Sequence, residues 1–318
     1  MIGEVVAAAT DCRLKEKLGD LQGTRFIDDY YLYFDSHDSA EQALAALHEV
    51  AASLELEVND FKTEIVPLPE PLEPSWKAEL RAFDLNRTDS RQDTRLIELF
   101  DRAAELAGRF PHDNVLTYAA NIVGSAAIEA KHWALCQALL LRSAIAEPSL
   151  VRRLPGIFEK NAPGGGINTS AVRATIEQLC THHAPLQQGN EVMWALWFSK
   201  TLKLPIETAA ATAVAGVDDD LVALTALHLR SENLIPALTT ELWDGYISRK
   251  HLYSDHWLLA YEARAKGWLG IDAPDYTLDD PAFSILRKHD VGFYQVDAVG
   301  GAPESKYEKE SEPLAAAF

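Results

Sequence analysis

The sequence predicts a mostly α-helical protein with a small α+β segment at its N-terminal end, and three observations support this fold class. Residues 25–34 are apolar on both sides of Asp28 and Asp29, which predicts a β-hairpin with the acidic pair at its turn. Four prolines between residues 67 and 74 end regular structure. Ten segments with helical periodicity then follow one another with short breaks. We therefore predict an α+β segment, a helical domain and a polar, Ala-rich tail over residues 1–76, 77–299 and 300–318.

The α+β segment is predicted to contain a helix, the hairpin, a second helix and two short strands. Gly19 is a plausible end for the first helix. Ser39 with Gln42 three residues later has the spacing of a capping box, which predicts the start of the second helix. The elements are placed at residues 1–19, 25–34 and 39–54, and at 56–59 with 63–68.

The helical domain is predicted to be a stack of helical hairpins of the HEAT or armadillo type, because its helices are similar in length and closely spaced. No clean sequence repeat accompanies them, so an irregular helical bundle is the alternative. The predicted helices cover residues 94–107, 114–127, 132–145, 149–159, 170–183, 191–202, 206–215, 219–230, 238–248 and 256–267.

The composition narrows the function classes. The formal net charge is -19, and residues 1–75 hold sixteen Asp and Glu against five Lys and Arg. This balance argues against broad, non-specific binding of nucleic acid, which needs basic surface. The three cysteines are far apart, which favours reduced thiols over a disulfide framework or a zinc ribbon. No apolar run is long enough to cross a membrane, and no signal peptide pattern is present, so a cytoplasmic location is expected.

The most informative string is Arg25-Phe26-Ile27-Asp28-Asp29-Tyr30. Two adjacent carboxylates on a hairpin tip can hold divalent ions, because hard oxygen ligands suit magnesium. Two such ions activate an attacking hydroxyl and stabilise the leaving group in phosphoryl transfer. An acidic pair in a turn is also common on solvated surfaces, so the pair alone does not define a site.

The order of motifs resembles the reverse transcriptases, whose palm has an aromatic-x-Asp-Asp hairpin, a helix and then a Leu-x-Leu-Asn-x-x-Lys-Thr string. In this chain Leu56, Asn59, Lys62 and Thr63 match that string. The match covers about a quarter of the chain, residues 1–76. The prolines and helices beyond it resemble, more loosely, the bacterial defence-associated reverse transcriptases of the abortive-infection type.

The resemblance implies nucleotidyl transfer with Mg²⁺ or Mn²⁺, in which Asp28 and Asp29 are catalytic and bind the metal. It implies that Lys62 lies near the phosphates of the nucleotide, although a surface lysine is the equal alternative. Deoxynucleotides and nucleic acid are the implied partners, and antiphage defence is the implied role. The family carries a further Asp on an earlier strand, preceded by fingers, and we find neither in this sequence.

Residues 1–318 are therefore expected to be the C-terminal part of a polymerase and to be inactive alone. An upstream polypeptide or self-association would complete the palm, and the isolated chain is left unclassified as an enzyme. The competing interpretation is a non-catalytic helical scaffold that binds a protein partner. Arg25 is predicted to pair with neighbouring acids, and His251 with His256 to have structural roles rather than to bind metal.

Overall fold

The computed structural model describes residues 2–69, 73–86 and 91–296, and these residues are mostly helical with one small antiparallel sheet. The predicted fold class is confirmed at this level. The chain divides into two compact units, Met1–Pro74 and Ser75–Phe318. The predicted tail, residues 300–318, lies outside the described residues. No helix in the described part of the chain combines the length and apolarity needed to span a bilayer.

The first unit is a two-stranded hairpin with two helices packed around a small core. The core forms where α1 and α2 pack together and the half-buried Tyr30 and Leu32 cover them. Its buried apolar side chains are Leu14, Ala46 and Val50. The elements are α1 (Ile2–Leu18), β1 (Gln22–Phe26), β2 (Asp29–Tyr33) and α2 (His37–Ser53).

The start of α2 differs from the predicted capping box. Ser36, in extended backbone conformation, is the N-cap, and its hydroxyl accepts a hydrogen bond from the Ser39 amide at 3.2 Å. Ser39 lies inside the first turn, where its own hydroxyl donates to the Ser36 carbonyl at 2.9 Å. Ser36 and Ser39 are both good N-caps, so local sequence does not separate them, and the extended chain leaving β2 selects the earlier one.

The two strands predicted at residues 56–59 and 63–68 are wrong. These residues form no strand, and a turn between them is closed by the Lys62 amide, which donates to the Asn59 carbonyl at 3.0 Å. Among the described residues, no backbone hydrogen bond joins residues 63–68 to another segment. The apolar pattern is suited to a strand, but a strand also requires a neighbour to pair with, and the described sheet contains only β1 and β2.

The second unit consists of helices built on an apolar core that extends from Trp76 to Tyr294, with a separate smaller cluster of Leu252, Ala260, Tyr261 and Phe283. Three 3₁₀ segments join the α-helices, at Pro148–Arg153, Ala184–Leu186 and Arg249–Tyr253. The α-helices are α3 (Ser75–Arg81), α4 (Gln92–Arg109), α5 (Val115–Ser125), α6 (Ala130–Ala146), α7 (Leu154–Gly165), α8 (Thr169–His183), α9 (Gly189–Leu202), α10 (Thr208–Val214), α11 (Asp220–Ser231), α12 (Glu241–Asp244), α13 (Trp257–Ala265), α14 (Tyr276–Asp279) and α15 (Phe283–Lys288).

Most of the predicted helices are present with shifted ends, but the one predicted at residues 238–248 shortens to the four residues of α12. Trp243 anchors that turn, because its indole is fully buried and donates to the Val217 carbonyl at 2.9 Å. No strand occurs in the described residues of this unit, as predicted.

Alternate helices of the second unit contact each other in two series. The helices α4, α6, α8 and α10 contact one another in succession, and so do α5, α7, α9, α11 and α13. Several backbone amides of this unit donate hydrogen bonds to side-chain oxygens elsewhere in the chain. In these bonds the two partners are 30 to 39 residues apart in sequence. The second unit is therefore a two-layered stack, in which backbone amides near several helix starts are held by polar side chains from other elements.

Candidate functional site

The acidic pair lies at the tip of the hairpin, as predicted. Phe26 faces Asp29 as the last pair of the β1–β2 register, so Ile27 and Asp28 form a two-residue turn. Both aspartates are exposed, and among the described residues neither carboxylate takes part in a hydrogen bond or an ion pair. The carboxylates are therefore available to an external cation.

The turn itself is strained at Ile27, whose φ is 58°. A β-branched side chain in the left-handed region is an outlier that costs on the order of 1–3 kcal/mol. The Ile27 carbonyl accepts a hydrogen bond from the Arg25 guanidinium, which holds the turn in this shape. Such strain tends to occur where a tip must present its side chains in one fixed direction.

Arg25 and Tyr30 fasten the hairpin to α1. They are cross-strand partners on the inner face, and both contact Asp11, Arg25 through Nε at 3.1 Å and Tyr30 through its hydroxyl at 2.7 Å. Arg25 also donates to Glu4 at 2.7 Å. The predicted pairing of Arg25 with neighbouring acids is therefore confirmed. Asp11 has a structural role, because its carboxylate is engaged by both side chains.

The electrostatics of this network follow from the same contacts. Hydrogen bonds to Glu4 and then to Asp11 raise the pKa of Arg25, and the Arg25 guanidinium lowers the pKa of Glu4. Burial, followed by the hydrogen bond to Asp11, raises the pKa of Tyr30. Tyr30 is accordingly a neutral hydrogen-bond donor and supplies no negative charge to the hairpin.

The outer face of the hairpin is exposed and aromatic. Burial alternates along β2, so that Asp29, Tyr31 and Tyr33 point outward while Tyr30 and Leu32 point to the core. The sequence indicated apolar strands but did not indicate which side would be covered, because a strand of this composition can be buried on either face.

A groove of about 740 Å³ runs beside β2. One wall is residues 30–37 and the other is residues 63–68, while α2 lines it with Ala40, Ala43, Leu44 and Leu47. Residues 30–33 of the first wall are strand, residues 63–68 of the second have no regular secondary structure, and in the described residues no backbone hydrogen bond crosses the groove. The groove was not predicted from sequence, since it exists only because the expected strands are unpaired.

The other predicted residues are not brought to the Asp pair by any contact. Lys62 is exposed in the turn at residues 60–62, and no hydrogen bond or ion pair among the described residues connects it to Asp28 or Asp29. In the described part of the chain, the only group of three side chains spaced to hold a metal is His37, Asp38 and Glu41, all exposed. This group does not include the Asp pair.

His251 and His256 are close together, although sequence spacing placed them on different faces of one helix. His251 lies in a 3₁₀ segment and His256 caps α13, with ring centroids 6.4 Å apart. His256 bonds to Asp220 at 2.9 Å and stacks on Tyr246 at 3.7 Å. These contacts give His256 the structural role that was predicted.

Comparisons with models of protein families, with curated proteins and with solved structures find no match for this chain.

Proposed function

We propose that the first unit is the rear part of a reverse transcriptase palm, in which Asp28 and Asp29 supply two of the carboxylates needed for nucleotidyl transfer. The observation that carries this proposal is the exposed acidic pair on a strained hairpin tip, followed by a helix and then by a segment, residues 63–68, without regular secondary structure. This order corresponds to the aromatic-x-Asp-Asp, helix and Leu-x-Leu-Asn-x-x-Lys-Thr motifs. By the same resemblance Lys62 would lie near the phosphates of an incoming deoxynucleotide, and the role would be antiphage defence.

The residues present fit a divalent cation only in part. The carboxylates of Asp28 and Asp29 are hard oxygen ligands of the kind that Mg²⁺ or Mn²⁺ prefers. When bound, the metal would lower the barrier to attack by a hydroxyl on a nucleotide phosphate. Neither aspartate belongs to a group of three candidate ligands among the described residues. We propose that a further carboxylate, supplied by an upstream polypeptide or by a second copy of the chain, completes the site so that it can hold its metals firmly.

The groove beside β2 suggests where that carboxylate would enter. In a split β-α-β-β-α-β arrangement, the first strand lies between the hairpin and the last strand. Here residues 30–33 and residues 63–68 belong to the two walls of the groove, and within the described part of the chain no backbone hydrogen bond crosses it. A strand seated there would satisfy both walls and bring its own side chains beside the hairpin. It would also turn residues 63–68 into the strand that the sequence predicts.

The test is primer extension by the full chain with Mg²⁺ or Mn²⁺. The chain alone is expected to incorporate no deoxynucleotide above background. Addition of a polypeptide that carries the missing palm strand and fingers, encoded upstream, should restore synthesis. Asp28→Ala should then lower the rate by about 100-fold or more, because loss of a metal ligand removes several kcal/mol of transition-state stabilisation. Asp20→Ala, at an exposed aspartate away from the tip, is the matched control.

A second pair of variants tests the groove. Leu44 lines it, whereas the neighbouring Ala45 is exposed on α2 and is not part of its lining. Leu44→Arg should abolish complementation by placing a charge on the apolar floor, and Ala45→Arg should leave it unchanged. Synthesis by the isolated chain would refute the incomplete palm. Complemented synthesis that survives Asp28→Ala would refute the assignment of the acidic pair.

A non-catalytic scaffold is the second candidate, and the two-layered stack of the second unit favours it. We propose that this stack is a solenoid of the HEAT or armadillo type, whose extended surface suits a protein partner. The same reconstitution separates the two functions. A stable complex on size exclusion with the upstream polypeptide, combined with no synthesis under any metal condition, would favour the scaffold over the polymerase.

A further inference from the structure

The last described stretch of the chain, residues 291–296, is held against the helical unit like a bound peptide, and we call it the C-terminal strap. Its backbone is fixed by buried polar side chains at three points. The Tyr261 hydroxyl donates to the Val291 carbonyl at 2.6 Å, and Glu262 accepts from the Phe293 amide at 2.5 Å. Lys200 Nζ donates to the carbonyl of residue 296 at 2.9 Å. Glu262 and Lys200 are 1% and 7% exposed, so the strap covers charged groups.

Tyr294 is the anchor of the strap. Its ring is enclosed by the rings of Trp197, His228 and Trp268, each met edge to face, with centroids 6.4, 5.7 and 5.8 Å away. Its hydroxyl lies 3.1 Å from His228 Nδ1, which is a hydrogen bond across 66 residues of sequence. Contacts of this kind add to the apolar area that the ring buries. Tyr294 and its contact with His228 thus add a side-chain anchor to the three backbone contacts of the strap.

His228 is surrounded in a way that disfavours its charged form. It is 1% exposed, and its Nε2 has no hydrogen-bond partner among the described residues. Among the described residues, the charged groups that act on it most strongly are Lys200, Lys203, Lys266 and the acid Glu232. Glu232 is 3.6 Å from Nε2, but it is already paired with Lys203 at 2.6 Å. Burial is the largest influence and lowers the pKa of His228. Glu232 is the next largest and raises it, and each of the three lysines lowers it by less than Glu232 raises it.

We propose that the C-terminal strap is a pH-sensitive latch, closed while His228 is neutral and released when His228 takes up a proton. Release would expose the ring to water, which hydrates the charged imidazole and screens it from the three lysines. The pKa of His228 is lower in the closed state than in the open one. The closed state is therefore favoured above the ordinary histidine pKa of about 6.5, and loses stability as the pH falls below it.

Hydrogen exchange of the full chain at pH 7.5 and 5.5 tests the latch. After correction for the intrinsic effect of pH on exchange, a peptide covering residues 291–296 should lose protection by about tenfold between the two pH values. A peptide from α5 should not change, which separates release of the strap from global unfolding. Equal protection of the strap at both pH values would overturn the proposal.

Three variants sharpen the measurement. His228→Gln removes the titrating group and should abolish the pH response, whereas His289→Gln, at an exposed histidine beside the strap, should keep it. Lys203 is exposed, so Lys203→Met should fold even if the buried variant does not. This substitution removes the ion pair between Lys203 and Glu232, so that Glu232 interacts more strongly with His228. The pKa of His228 in the closed state then rises, which should weaken the pH response of the strap. A full response in His228→Gln, or an unchanged response in Lys203→Met, would contradict the latch.

Discussion

The carboxylate of Glu147 gives the sharpest test of how the helical unit is held together. It accepts hydrogen bonds from the amides of Leu116 and Thr117 at 2.9 and 2.8 Å, and from the Thr117 hydroxyl at 2.5 Å. These amides belong to the first turn of α5, whose N-cap residue Asn114 has a φ of 52° and makes no capping hydrogen bond. Glu147 therefore performs the capping from 31 residues away.

The expected cost of Glu147→Ala is about 2–4 kcal/mol in the free energy of unfolding. Loss of an N-cap side chain typically costs ~1–2 kcal/mol. The hydrogen bonds to Glu147 are charge-assisted, and each contributes ~1.5–3 kcal/mol. Water can bind to the uncapped amides in the variant and recover part of that energy. Glu147→Gln keeps an oxygen acceptor but loses the charge that favours a helix N-terminus, so about half of that cost is expected.

Urea unfolding of the full chain, followed by far-UV circular dichroism, measures these differences in the transition of the helical unit. Glu98→Ala, at an exposed position of α4, is the control and should change the free energy by less than ~0.5 kcal/mol. The denaturant slope should stay constant, so that the midpoint reports stability alone. If Glu147→Ala is as stable as Glu98→Ala, capping from a distance does not stabilise this unit.

Two further predictions concern packing and thiol chemistry. A Cβ at Gly165 would lie 2.4 Å from the Trp133 ring, whereas one at Gly108 would meet nothing within 4 Å. Gly165→Ala should destabilise the unit by ~1–3 kcal/mol, and Gly108→Ala should stabilise it by ~0.5–1 kcal/mol. Thermal unfolding measures both changes. Equal changes in stability for the two variants would contradict the prediction. Thiol titration of the native chain should modify one cysteine quickly and two only after denaturation, and rapid modification of all three would contradict the burial found here. The exposed thiol is Cys12, and burial raises the pKa of the other two, Cys136 to about 12 and Cys180 likewise upward.

Local sequence determined the parts of the fold that depend on neighbouring residues. The hairpin at Asp28 and Asp29 follows from apolar strands around an acidic turn, and the helices follow from apolar residues spaced at about one helical turn. These patterns depend on residues close together in sequence, so they can be recognised without knowledge of the rest of the fold. The same reasoning failed at α12, where anchoring of Trp243 under the Val217 carbonyl ended a longer periodic pattern.

The candidate site was likewise predicted only in part from the sequence. The sequence located the acidic pair and indicated that Arg25 would pair with neighbouring acids. It did not identify Asp11 as the shared partner of Arg25 and Tyr30, because that contact depends on the strand register and on the packing of α1. It did not reveal the strain at Ile27 or the groove beside β2. The strain depends on the backbone conformation of the turn in the folded hairpin, and the groove depends on how residues 63–68 pack in the first unit.

The sequence by itself thus determined the order and kind of most elements and the residues at the hairpin tip. Tertiary structure alone decided which extended segments became strands, which acid capped which helix, and that Tyr294 would meet His228. The physical reason is that helical periodicity and turn chemistry are satisfied locally, whereas strand pairing, burial of charge and capping at a distance require partners that only the folded chain brings together.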